Sequence, residues 1–197
     1  MSQLVTAPSL KEFFRTLLDE VIRRQKLAVA ETTEFYLVNL LAEFASADNL
    51  FSKGDDGRKE QEPLAMLYHR ALQQQRDERI RTLRRLGDVS LYQAGFFSGA
   101  LREGPVGQDY YIQMGGAAYG QVADLAPAAG FASVYRELSA RFRALVDVLE
   151  EIAARGLVQN GPSGTLKVYE SWVRTGNDRL EQVLVDAGMV VPKGLPN

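Results

Sequence analysis

The sequence predicts an all-α fold, a single-domain bundle of seven to eight helices around a central Gly-rich antiparallel helical hairpin. Three observations predict it. Apolar residues recur at i, i+3 and i+4 through most of the chain, the spacing that gathers them on one helix face. No convincing run alternates apolar and polar residues with the two-residue period of a strand. Glycines and prolines punctuate the periodic stretches where helices must start or stop.

The first helix carries Leu10, Phe13, Phe14, Leu17, Leu18, Val21 and Ile22 on one side, with Lys11, Glu12, Arg15, Asp19 and Arg23 opposite. Ser9 and Glu12 read as a capping box, in which hydroxyl and carboxylate each satisfy an orphan backbone N–H. A second helix is predicted over 28–47, burying Phe35, Val38, Leu41, Phe44 and Ala45. Residues 48–62, polar and rich in Gly and Asp, read as a mobile loop. Pro63 suits the first turn of a third helix, where its missing N–H removes no bond. That helix runs through Leu67, Ala71, Leu72, Ile80, Leu83 and Leu86 to a stop at Gly87.

Two shorter helices follow over 89–102 and 108–125, separated by EGPVG. A sixth covers 130–155, with Phe131, Val134, Leu138, Leu145, Leu149 and Ile152 inward and Gly156 as its stop. The stretch 166–187, around Trp172, Leu180, Val183 and Leu184, makes one or two helices with a break at Gly176. Gly188 ends it, and 189–197 reads as a loose tail of the same single domain, 1–197.

The centre, AGFFSGALREGPVGQDYYIQMGGAAYG, is the unusual stretch. On a helical wheel Tyr111, Met114, Gly115, Ala118, Tyr119, Val122 and Leu125 share one face. No charge falls between Tyr110 and Ala123 or between Val89 and Leu101, which marks helices of the interior. Glycine inside a helix costs about 1 kcal/mol relative to alanine, so Gly95, Gly99, Gly115, Gly116 and Gly120 need a reason. Close approach of two backbones, turned at Gly104 and Pro105, supplies one. The same stretch admits a second reading, a pocket for an apolar or aromatic small molecule lined by Tyr92, Phe96, Tyr111 and Tyr119.

Several chemistries have no footing in these residues. There is no cysteine, so disulfides, thiolate metal sites and cysteine nucleophiles are excluded. His69, the one histidine, has no second ligand at helical spacing, and no P-loop, dinucleotide fingerprint or GxSxG elbow occurs. The expectation is a protein without metal or cofactor, leaning away from an enzyme. Glu150 and Glu151 read as solvated carboxylates on a helix surface.

A net charge of −2 gives no general attraction to nucleic acid. Arg81, Arg84 and Arg85 lie close together on one wheel and make at most a small anion-facing patch. The N-terminus lacks a basic leader with an apolar core, and no run reaches the roughly 20 apolar residues a membrane span requires. The expectation is therefore cytoplasmic, without nucleic-acid or membrane partners. Two functions follow: a non-catalytic helical interaction or regulatory protein that self-associates through a helix face, or a small-molecule binder using the tyrosine-lined pocket.

Overall fold

A computed structural model describes residues 7–45, 52–53, 59–60, 62–103, 106–126 and 128–191. Among these the architecture is ten helices and one short antiparallel strand pair. The pair, β1 (Ser52–Lys53) and β2 (Lys59–Glu60), falls inside the predicted 48–62 loop. The rest of that loop, its mobility and the tail beyond residue 191 lie outside the described residues.

Helices α1 (Ala7–Arg24) and α2 (Glu31–Phe44) pack against each other at the N-terminal end. The described part of α1 begins at Ala7 and includes Ser9 as a helical residue; the predicted capping by its side chain lies outside what is described. It ends with the Leu27 N–H on the Ile22 carbonyl and Lys26 in the left-handed region, φ 52°. In α2 the buried residues are Thr33, Leu37, Val38, Leu40, Leu41 and Phe44. Phe35, predicted inward, is 70% exposed, and Ala45 and Phe13 are exposed as well. Phe35 sits about 200° round the helix from both Thr33 and Leu37, so the stripe that carries Leu37 and Leu41 turns it outward.

The predicted third helix is two. α3 (Leu64–Gln73) gives way at extended Gln74, and α4 (Arg76–Phe96) then runs straight through Gly87. Pro63 stands one residue ahead of α3, at its N-cap. Gly87 is no stop because it is an approach point: a Cβ there would sit 2.4 Å from Cε1 of fully buried Tyr119. Its missing side chain makes room for that ring.

A short α5 (Ser98–Glu103) follows, then α6 (Gln108–Leu125) with the predicted bounds. α6 lies antiparallel on α4: Arg76 reaches the Leu125 carbonyl, Arg79 reaches Gln121, and Gln108 reaches the Ala94 carbonyl. The glycines do not make one seam between these helices. A Cβ on Gly115 would meet Phe142 at 2.2 Å and Ser90 at 2.6 Å, and one on Gly95 would meet Leu149 at 2.4 Å. Those on Gly99 and Gly116 would find only ordinary contacts at 3.7 Å. Glycine is needed where a ring or leucine drives into the helix. The Gly104–Pro105 turn lies outside the described residues.

The predicted sixth helix also divides, into α7 (Ala129–Ala140) and α8 (Phe142–Gln159), at non-helical Arg141. α8 continues past Gly156. Phe131 is exposed and Val134 only partly buried, since α7 turns Ala132, Tyr135 and Leu138 inward. Glu150 and Glu151 are 8% and 3% exposed, in contrast to the solvated setting expected for them.

The chain closes with α9 (Pro162–Thr175) and α10 (Asp178–Asp186), broken at Gly176, which takes the left-handed cap at φ 61°. Asn177 caps α10, accepting from the Arg179 N–H at 2.9 Å. This hairpin has its own small apolar cluster of Val168, Trp172, Leu180, Val183 and Leu184, with Ala154 of α8. Trp172 is thus an internal anchor of the C-terminal pair. The main core, around Leu18, Leu41, Leu86, Leu91, Leu145 and Leu149, is separate from it.

Ion pairs join the hairpin to the bundle. Asp186 of α10 accepts from Arg24 of α1 and from Arg155 of α8, and Arg155 also pairs with buried Glu151 at 3.0 Å. Glu20 pairs with both arginines at 3.2 Å. α9 is pressed on α8 so closely that a Cβ on Gly164 would lie 1.9 Å from the Leu157 carbonyl oxygen.

Candidate functional site

Four helices converge on one carboxylate, Asp88 of α4. Tyr36 of α2 donates to its Oδ1 at 2.5 Å, and Tyr119 of α6 donates to the same oxygen at 2.7 Å. Tyr135 of α7 extends the chain by donating to the Tyr36 hydroxyl at 3.4 Å. Arg84, one turn before Asp88, brings Nε to 4.0 Å of Oδ2. Burial raises the Asp88 pKa to about 6 although both tyrosines and Arg84 favour the ionised form. Burial, followed by the nearby Asp88 charge, raises the Tyr36 and Tyr119 pKa values as well. All three phenols therefore remain donors, and the cluster is a satisfied polar knot inside the core.

The residues singled out from the sequence fall into different settings. Tyr119 is fully buried in the Asp88 cluster. Tyr92 stacks between Phe44 and Phe96, with ring centroids 5.0 and 4.6 Å apart. Tyr111 is partly buried and meets Tyr110 edge-on at 5.8 Å. Arg84 is committed to Asp88, while Arg85 lies 4.9 Å over the Phe44 ring. Arg81 is exposed. His69 is exposed too, 3.4 Å from the Gln73 amide. No group of three or more metal-ligating side chains occurs among the described residues.

A groove of about 420 Å³ opens between the main bundle and the C-terminal hairpin. Small residues line it: Gly99 and Ala100 of α5, Ala153 and Ala154 of α8, and Ser171 of α9. Phe96 and Phe97 line it from the end of α4. The lining includes the buried Glu150, which accepts from Ser98 Oγ at 2.7 Å. Lys167 and Arg174 come from α9, seven residues and about two turns apart, with Ser171 between them on the same face. Arg174 Nη2 would lie 3.7 Å from a Cβ on Gly99. Apolar surface, an enclosed carboxylate and two cations thus share one concavity.

Two other concavities differ from it in chemistry. One of about 650 Å³ runs along Val158, Leu166, Tyr169 and Met189 and has no charged side chain on it. Another of about 230 Å³, between α1 and α2, mixes Lys11 and Arg15 with four carboxylates and the exposed Phe35.

The sequence reading put Phe96 in a pocket with Tyr92, Tyr111 and Tyr119, none of which lines this groove; it read Glu150 as solvated and did not single out Ser98, Lys167 or Arg174. It missed Asp88 because Gly87 reads as a helix stop and so places Asp88 in a loop. One signal was present: continued through Gly87, the helix puts Asp88 on the side of Leu91, Tyr92 and Gly95. No family model, no curated protein and no solved structure matches this chain. Among the described residues no helix is long and apolar enough to cross a membrane.

Proposed function

We propose that this protein binds a small molecule in the groove between α4–α5 and α8–α9. The single observation that carries the reading is the convergence on one concavity of aromatic wall, enclosed carboxylate and paired cations. Its volume of about 420 Å³ falls in the range of roughly 300–1,000 Å³ typical of ligand sites, which are mostly apolar with a few placed polar groups. The reading keeps the small-molecule binding expected from the sequence and moves it from the tyrosine-lined interior to Phe96, Phe97 and Glu150. Asp88 and its tyrosines then act as scaffold.

The test is saturation-transfer NMR with a mixture of small aromatic and aliphatic compounds, run on the full chain and on Ala153→Phe. Ala153 is partly exposed in the groove lining, so the added ring fills the space without entering the core. Transfer to at least one compound is expected in the native chain and its loss in the variant, with melting temperature unchanged. Equal transfer in both proteins would remove the groove as the site. Self-association has one observation in its favour, the exposed Phe35 ring beside the α1–α2 concavity. A stable dimer in sedimentation equilibrium that Phe35→Glu dissolves would support it.

A further inference from the structure

We propose that Asn160, at the junction of α8 and α9, is a modification site that deamidates spontaneously with water as the co-reactant, whether or not the groove binds a ligand. Asn160 is the exposed C-cap of α8, and its side chain makes no hydrogen bond among the described residues. Gly161 follows at φ 98°, and nothing lies within 4 Å of where a Cβ on it would stand. The Gly161 N–H has one bond to give up, to the Val158 carbonyl at 3.1 Å, in the last turn of α8, where helix ends fray. Two other described asparagines are placed differently. Asn39 lies inside α2 and donates to the Phe35 carbonyl at 2.7 Å, and the Asn177 side chain is held by the Arg179 N–H at 2.9 Å.

Asparagine amides are thermolabile, and a following residue without a Cβ leaves its nitrogen open to the side chain before it. The Gly161 nitrogen gives its proton to solvent and bonds to Asn160 Cγ. The Cγ–Nδ2 bond breaks, and ammonia leaves with a proton returned by solvent. Water then opens the cyclic succinimide. Breaking the original bond between the Gly161 nitrogen and the Asn160 main-chain carbonyl leaves isoaspartate, with the chain routed through Cγ. Breaking the new bond leaves aspartate. Nothing is oxidised or reduced, and both products carry a new negative charge. Isoaspartate also lengthens the main chain just ahead of α9, where Gly164 presses on the Leu157 carbonyl with no room for a Cβ.

The test holds the full native chain at 37 °C, at pH 7 and at pH 9. Mass spectrometry with fragmentation then follows the tryptic peptides that carry Asn39, Asn160 and Asn177. Asn160 is expected to convert at least about tenfold faster than the other two, the ratio that a barrier lower by about 1.4 kcal/mol gives. The rate is expected to rise with pH, because the attacking nitrogen must lose its proton, and both products are expected to appear. Asn160→Ser is expected to keep its peptide mass unchanged. If Asn160 converts no faster than Asn39 and Asn177, the inference is wrong. Conversion to aspartate alone, at a rate indifferent to pH, means direct hydrolysis and overturns ring closure through Gly161. A mass gain that persists in Asn160→Ser places the reaction at Gln159 and overturns the site.

Discussion

Ser90 is fully buried, and its hydroxyl has no hydrogen-bond partner among the described residues. A hydroxyl taken from water without compensation costs about 1–3 kcal/mol by mutational measures. Ser90→Ala removes that cost and keeps the Cβ that packs beside Gly115. The variant is expected to be more stable by about 1 kcal/mol, read as a higher urea midpoint at unchanged slope. A lower midpoint would mean the hydroxyl is bonded in solution. The same residue scale explains what the sequence concealed. Helical periodicity sorts side chains by polarity, so Glu150 and Glu151 looked like solvent-facing residues, while the misread stop at Gly87 put Asp88 in a loop. Their partners are remote: Tyr119 lies 31 residues from Asp88, and Ser98 lies 52 from Glu150. Pairing at such distances leaves no local pattern, whereas the apolar stripes of α1 and α6 do.

At the scale of elements, boundaries were legible where backbone chemistry sets them. Gly176 adopts positive φ and separates α9 from α10, and the uncharged run from Tyr110 to Ala123 lies within one helix, Gln108–Leu125. They were misread where a glycine serves packing, as at Gly87 in α4. The adjacent pair Gly115 and Gly116 tests that distinction. A Cβ on Gly115 would intrude on Phe142 and Ser90, both buried, at 2.2 and 2.6 Å. Overpacking of this kind costs about 1–3 kcal/mol, against a gain of about 1 kcal/mol from helix propensity. A Cβ on Gly116 would have 3.7 Å to its nearest neighbour and keeps the propensity gain. Gly115→Ala is therefore expected to lower the melting temperature by several degrees, and Gly116→Ala to leave it unchanged or raise it. Equal effects at both positions would show that α6 is not held tightly between α4 and α8.

Over the whole molecule, Asp88 makes stability depend on pH in a direction opposite to that of ordinary ion pairs. The groups facing it are Tyr36 and Glu43 of α2, Arg84 of its own helix, Tyr119 of α6 and, through Tyr36, Tyr135 of α7. Its side chain is 14% exposed, and the folded pKa of about 6 stands above the ordinary 3.8. Between those values the folded state holds a proton that the unfolded state has released, so stability falls as pH rises. The contribution is fully present below pH 3.8 and is lost as pH passes through about 6. Asp186, whose pKa is lowered first by its bond from Arg24, acts the other way and weakens its ion-pair network on acidification. The two effects overlap in the native protein, and Asp88→Asn separates them. The amide oxygen still accepts from Tyr36 and Tyr119 but no longer titrates. Relative to the native chain, the variant is expected to gain about 2 kcal/mol between pH 4 and pH 7, measured by urea unfolding at each pH. A constant difference across that range would mean that water or Arg84 keeps Asp88 at its ordinary pKa. The four-helix convergence would then be a hydrogen-bonded joint that does not respond to protons.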